Sequence, residues 1–204
     1  MLVVYGRASS SNVQKVLWLC EEIGLPYTSA NVVPPGKAKE SAEYVKLNPN
    51  GLIPAIDEDG FVLWESNAIV RYLAAKHAHG TFFPTDLRVR ADSDRWMDWQ
   101  ATVLAPPTAV VLNQIVRTPP EKRDNAAAEA AFRTLREKAG VLDAALKGRD
   151  YLAGNALTMG DLAVGQWMWR YASLVPDRPA HANLEAWYKR LHHDLLVGRA
   201  GLQA

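Results

Sequence analysis

The side chains able to do chemistry stand in a few short stretches. Glu65-Ser66 falls where a strand-like run ends and a helical run begins. The first N–H groups of a helix have no partner within it and share the positive end of its dipole, so this place suits a carboxylate ligand. A plain helix cap at Ser66 satisfies the same pattern. Ser9, Ser10, Ser11 and Asn12 stand before another helical run, where a side-chain oxygen can accept an otherwise unpaired N–H. Ile53-Pro54 precedes a strand, an ordinary place for a proline. Cys20 is the single cysteine, which excludes an intrachain disulfide, a CxxC pair and a thiolate-rich metal site. Any thiol chemistry must use a thiol that a ligand brings. The five histidines, at 77, 79, 181, 192 and 193, show no metal-ligand spacing such as HExxH, and no metal is expected.

The elements that position these residues follow from periodicity. A strand over 2–5 leads into a helix whose apolar residues Val13, Val16, Leu17, Cys20 and Ile23 recur at three-and-four spacing, stopped by Gly24 and Pro26. A strand over Tyr27–Val33 and a short helix near Ser41–Leu47 follow. Asn48-Pro49-Asn50-Gly51 turns the chain into a strand over Ile53–Asp57, and Glu58-Asp59-Gly60 joins it as a hairpin to Phe61–Trp64. A helix over Ser66–His77 completes the order β-α-β-α-β-β-α. After a linker at 79–87, residues 88–204 read as helix, with segments near 87–116, 121–147, 158–171 and 183–195. Pro106-Pro107 is expected to kink the first, since neither residue can donate a backbone bond. Thr158-Met159-Gly160-Asp161 has the spacing of a reciprocal cap, with Leu157 placed to staple onto Leu162. On that reading Asp161→Ala costs about 1–2 kcal/mol of stability and leaves ligand affinity alone.

Composition narrows the partners. Lys plus Arg number 23 against 22 Asp plus Glu, which gives no electrostatic footprint for a nucleic acid or an anionic membrane. At 49% hydrophobic and 22% charged residues the chain has ordinary globular usage and should fold. No run approaches the roughly 20 apolar residues of a membrane span, and the first residues run straight into a strand; the expectation is a cytoplasmic protein.

Four features taken in order carry a resemblance: Ser10-Ser11-Asn12 opening the first helix, Asn48 to Pro54 before the third strand, Glu65-Ser66-Asn67-Ala68-Ile69 opening the third helix, and Thr158 to Asp161 in the helical part. Over nearly its whole length the chain resembles a bacterial, cytosolic, serine-type member of the glutathione transferase superfamily, theta-like or nu-like. The resemblance implies an α/β thioredoxin-like domain over residues 1–78 and an all-helical C-terminal domain. It further implies a cis bond at Ile53-Pro54, which for proline costs only about 0.5–1 kcal/mol. The strip Leu52, Ile53 and Pro54 would then pair with an extended peptide ligand. Ser66 would hold the γ-glutamyl carboxylate of glutathione, Glu65 its ammonium and Lys39 the glycyl carboxylate. Ser10 would donate to the sulfur, with Ser9, Ser11 and Asn12 as competitors for that contact; Asn12 matches a sulfur-contacting asparagine of a disulfide-exchanging class.

The energetics of that role are sufficient. Lowering a thiol pKa of about 8.5 by about two units takes roughly 2.7 kcal/mol. A hydrogen bond to a charged group supplies about 1.5–3 kcal/mol and a helix N-terminus about 0.3–1 kcal/mol. Tyr5 lies in the first strand and reads as structural, and Cys20 lies on the packed stripe of the first helix and reads as inert.

The family places its acceptor pocket between the domains. Trp96, Trp99 and Val103 form one helical stripe and Trp167 and Tyr171 another, a pattern that suits core as well as pocket, and Arg88 and Arg95 suit an anionic group or water. Three activities fit: conjugation of glutathione to an apolar electrophile as in detoxification, glutathione-dependent disulfide reduction, and apolar-ligand binding without turnover. The resemblance implies glutathione as co-substrate and a homodimer.

Overall fold

The computed structural model describes residues 1–31 and 38–194, with side chains through Leu191. They fall into two compact units, Met1–Thr85 and Asp86–Asp194.

The first unit holds β1 (Leu2–Tyr5), α1 (Ser11–Glu22), β2 (Tyr27–Ala30), a 3₁₀ turn Ala38–Glu40, α2 (Ala42–Leu47), β3 (Ala55–Glu58), β4 (Phe61–Trp64) and α3 (Ser66–His77). The sheet order is β2-β1-β3-β4, with β1 parallel to β2 and antiparallel to β3, and β3 antiparallel to β4. Val32 and Val33 of the expected second strand lie outside the described residues. The third strand begins two residues later than its sequence suggests, at Ala55 opposite Tyr5 and Trp64, because Pro54 has no N–H to give to the ladder. Tyr5 belongs to β1 and packs with Leu47 and Ile53 against Ala38, Tyr44 and Ala55. The β1 strand sits in the centre of the sheet, and α1 and α3 pack on each other.

The α1 helix is buried more widely than its apolar stripe suggests, since Gln14, Lys15, Trp18 and Leu19 are buried along with Val13, Val16, Leu17 and Cys20. Such burial removes water from Lys15 and Cys20, the ionisable groups in its middle. Burial pushes the Cys20 thiol up to about 12, with Glu21 adding to the rise, so this sulfur stays protonated and inert.

In the second unit one helical run extends from Leu87 to Arg117: α4 (Leu87–Trp99), a π-helical stretch Gln100–Leu104, α5 (Ala105–Val111) and a second π-helical stretch Leu112–Arg117. Pro106 and Pro107 do not end this run. The helix is widened to π on each side of α5, and Thr108 Oγ1 donates to the Leu104 carbonyl at 2.7 Å. The next helix starts later than its sequence suggests. A 3₁₀ turn over Pro120–Lys122 comes first, and Asp124 then caps α6 (Asn125–Ala145) by accepting the Ala127 N–H. The last two are α7 (Met159–Leu174) and α8 (Ala182–Asp194); residue 195 of the expected final helix lies outside the described residues.

The Thr158–Asp161 reciprocal cap is present at the start of α7. Asp161 is fully buried and does more than cap: its carboxylate also accepts from the Leu152 N–H and the Trp187 indole N–H, each at 2.9 Å. Gly160 lets α7 approach α4 closely. Its N–H donates to Ser93 Oγ at 2.9 Å, and a Cβ there would lie 2.7 Å from the Ser93 carbonyl oxygen.

Candidate active site

At the start of α1, Ser10 occupies the N-cap position with extended backbone (φ −84°, ψ 123°), and its carbonyl accepts the first helical bond from Gln14 N at 2.9 Å. Its hydroxyl makes no capping hydrogen bond. A serine at an N-cap usually spends its oxygen on the next turn, so this half-buried hydroxyl keeps its capacity for a ligand beside the positive helix end. Ser9 is exposed, Ser11 is buried as the first helical residue, and both are engaged in other interactions. Asn12 is half-buried one residue further along the first turn.

At the start of α3, Glu65 stands at φ 73°, ψ 107°, a conformation that a non-glycine residue holds only when its surroundings enforce it. The first helical bond runs from Ile69 N to Glu65 O at 2.9 Å, which leaves the preceding amides outside the helix ladder. Glu65 itself is exposed, whereas Ser66 is buried. Beneath this corner lies Lys15, only 1% exposed, whose Nζ donates to Asn67 Oδ1 at 2.7 Å. Burial draws the Lys15 ammonium down to about 7, against the attraction of Glu65, which raises it, while Arg71 lowers it further. Sequence reasoning missed Lys15; the available signal was a lysine one residue before the buried Val16-Leu17 pair.

The third component is the loop before β3. The Ile53–Pro54 peptide is cis. The Leu52 carbonyl accepts both Tyr44 Oη at 2.7 Å and Asn48 Nδ2 at 2.6 Å, and Asn48 Oδ1 accepts the Asn50 N–H at 3.0 Å. This network fixes the turn and leaves the Leu52 side chain 59% exposed. Gly51, at φ 59°, faces Lys39 so closely that a Cβ would lie 2.9 Å from the Lys39 Cα and 2.3 Å from its Cγ. Lys39, exposed in the 3₁₀ turn, is thereby brought to the same loop as Leu52 and Pro54. Tyr44 and Asn48 are positioning residues that sequence reasoning did not single out for that work; an asparagine inside a Pro-Gly turn was the signal for Asn48.

In the second unit Trp96 is buried and meets Trp99 edge-on, with ring centres 5.3 Å apart. Trp99 and Val103 are half-buried, while Trp167 is only 8% exposed. Arg95 is exposed and forms an ion pair with Asp92 at 2.5 Å. Among the described residues no group of three or more His, Cys, Asp or Glu could hold a metal ion, and no helix is long and apolar enough to cross a membrane.

Residues 9–76 match the family described as glutathione S-transferase, N-terminal domain, and residues 105–194 match glutathione S-transferase, C-terminal domain. The chain is 35% identical over 193 residues to glutathione S-transferase GstB of Escherichia coli K12, covering 94% of this chain and 93% of that one. Among solved structures it is similar to the theta class glutathione S-transferase of Xanthomonas axonopodis pv. citri with glutathione bound, at TM-score 0.90 and 39% identity, covering 100% of this chain and 97% of that one. It is also similar to an epsilon-class glutathione S-transferase of the housefly Musca domestica, at TM-score 0.85 and 28% identity, covering 98% and 91% of the two chains.

Proposed function

The chain belongs to the glutathione S-transferase family, and we propose that its glutathione transferase activity runs through Ser10 as the residue that holds the thiol of glutathione as a thiolate. The observation that carries this reading is the Ser10 hydroxyl at the N-cap of α1, uncommitted to the helix it begins. It supplies a hydrogen bond to an anion where the helix end already favours negative charge. Glu65 and Ser66 take the γ-glutamyl end, Ser66 and the first amides of α3 its carboxylate and Glu65 its ammonium. Leu52, Ile53 and Pro54 carry the peptide backbone, and Lys39 takes the glycyl carboxylate.

In the reaction the bound thiol releases its proton to solvent, and a sulfur lone pair forms a bond to the electrophilic carbon of an apolar acceptor. The leaving group departs with the electrons of its own bond. Ser10 stays neutral throughout, donating a hydrogen bond that is strongest while sulfur is charged. Trp99, Val103 and Trp167 provide apolar surface for the acceptor, in a homodimer with a detoxifying role in the cytoplasm. Asn12, on the same first turn, marks where a disulfide would be met if reduction rather than conjugation were the main reaction. Steady-state turnover of an aryl halide against a small disulfide separates the two.

The test is the ultraviolet thiolate band of bound glutathione across pH, in the wild type and in Ser10→Ala. The expected wild-type midpoint lies about two units below the free thiol, near 6.5, and moves up by at least one unit in the variant. Glutathione bound with an unshifted midpoint would remove Ser10 from the mechanism.

A further inference from the structure

We propose that Lys15 is a positioning residue that sets which peptide length the site accepts: by holding Asn67 it fixes the separation of the α1 and α3 starts, and so selects the reach of a γ-glutamyl arm. The inference rests on Ser10 meeting the sulfur and Ser66 the γ-glutamyl carboxylate, as proposed above. Those two residues begin separate helices, α1 and α3, so no single stretch of backbone fixes their spacing.

The two helices pack on each other, with Val13, Val16 and Leu17 buried on α1 and Ile69, Val70 and Leu73 buried on α3. Apolar contact of this kind is non-directional. The hydrogen bond from Lys15 Nζ to Asn67 Oδ1 at 2.7 Å is directional, and it lies at the ends that matter. Its donor belongs to the residue five positions after Ser10, little more than one helical turn, and its acceptor to the residue after Ser66. The ammonium also attracts Glu65. Lys15 therefore engages the residues on both sides of Ser66, at a corner where Glu65 is held at a φ of 73° that its surroundings must enforce.

Stability does not explain this lysine. It is 1% exposed, and Arg71 of α3 repels it. Taking an ammonium out of water is costly, and an uncharged methionine of similar length would avoid that cost. What a buried polar tie supplies instead is one geometry over its neighbours. The ligand feels that geometry through its length. Glutathione has two methylenes between its amino-acid head and its first peptide group; β-aspartyl-cysteinyl-glycine has one, and keeps the same charges and the same thiol. With the spacing held, the shorter peptide reaches only one of the two helix starts. With the tie cut, the start of α3 can move toward the shorter arm, and glutathione must order that corner as it binds.

Calorimetric titration of the full-length protein with each peptide measures the selectivity as a ratio of affinities. The wild type is expected to prefer glutathione about twentyfold. In Lys15→Met and in Asn67→Ala the ratio falls about fivefold, and in the double variant it falls no further, because both changes cut one bond. The ratio does not depend on the folded fraction. Both peptides carry the same charges, so loss of the ammonium cancels from it, and Asn67→Ala keeps that ammonium. A ratio unchanged in both single variants, or a double variant whose loss is the product of the two, overturns the proposal. Ser66→Ala tells this failure from that of the underlying reading. Glutathione affinity unchanged in Ser66→Ala would take Ser66, and the proposal with it, out of glutathione binding. A clear loss there beside unchanged selectivity in Lys15→Met and Asn67→Ala overturns the role of Lys15 alone.

Discussion

The Lys15 ammonium, buried within α1, donates to Asn67 Oδ1 at 2.7 Å and so ties the helix that begins at the proposed thiolate site to the helix that begins at the proposed γ-glutamyl site. Burial lowers its pKa to about 7 from an unfolded value near 10.5. Between those values the unfolded chain binds the additional proton, so stability climbs as pH rises through the window and is lowest below it. Wild type is expected to gain roughly 1 kcal/mol per pH unit between about 7.5 and 8.5, and Lys15→Met to lose that slope. Urea unfolding at a series of pH values measures it. Parallel slopes in the two proteins would place the charge of Lys15 elsewhere in the balance.

Asp161→Ala is expected to cost more than a helix cap. The substitution strands the Leu152 N–H, the Thr158 N–H, the Thr158 hydroxyl and the Trp187 indole, which all donate to a carboxylate with no exposed surface. Leaving buried donors unpaired costs about 1–3 kcal/mol each, and partial relaxation brings the total to about 3–5 kcal/mol rather than the 1–2 kcal/mol of a cap alone. Denaturant unfolding gives the stability and calorimetric titration the glutathione affinity of the folded fraction, which should stay within about twofold of wild type. A loss of only about 1 kcal/mol would mean that Leu152 and Trp187 find other acceptors.

The cap around Asp161 was legible because its parts lie three residues apart, whereas Trp187 lies 26 positions away and nothing local announces it. The same division runs through the site. Ser10 and Glu65-Ser66 stand at helix starts, which periodicity and turn residues mark. Lys15 reads locally as a solvated helical lysine, and only the fold, which brings Asn67 to it across 52 positions, makes it an interior charge. The positive φ of Glu65 was equally hidden, since no glycine or asparagine marks it. The π-helical stretches on each side of Pro106 and Pro107 were hidden because the loss of two donors does not say where along the helix the ladder widens.

Glu58 joins β3 to α3 by accepting Tyr72 Oη at 2.6 Å, His77 Nε2 at 2.7 Å and Lys76 Nζ at 3.0 Å. Burial on its own would raise the carboxyl, but these partners outweigh it and hold the pKa at about 2, below the ordinary value of 4.5. The unfolded chain therefore binds more protons between pH 4.5 and 2, and the stabilisation present above that window is lost as pH falls through it. Because Lys76 is 47% exposed and screened, a discounted contribution of about 1–2 kcal/mol is expected. In acid titrations followed by circular dichroism, Glu58→Gln should start less stable at pH 6 and converge on wild type by about pH 2. A constant offset across the range would assign the loss to packing.

Gly51 supports the strip proposed for glutathione through space it does not fill. Its φ of 59° costs an L-residue about 1–2 kcal/mol, and the Cβ of an alanine would sit 2.9 Å from the Lys39 Cα, a backbone atom that cannot swing aside like a side-chain tip. The turn must therefore shift away from the 3₁₀ segment. The Leu52 carbonyl, pinned by Tyr44 and Asn48, passes that shift to the residues before β3. Gly51→Ala is expected to raise the KM for glutathione about tenfold, equivalent to about 1.4 kcal/mol of binding. Ser10 and the start of α1 lie outside the turn, so kcat at saturating glutathione should change less than threefold. Steady-state kinetics with glutathione varied at fixed acceptor reads both quantities. A fall in kcat with unchanged KM would mean that the loop positions the sulfur rather than the peptide backbone, and would move the strip's role from binding to orientation.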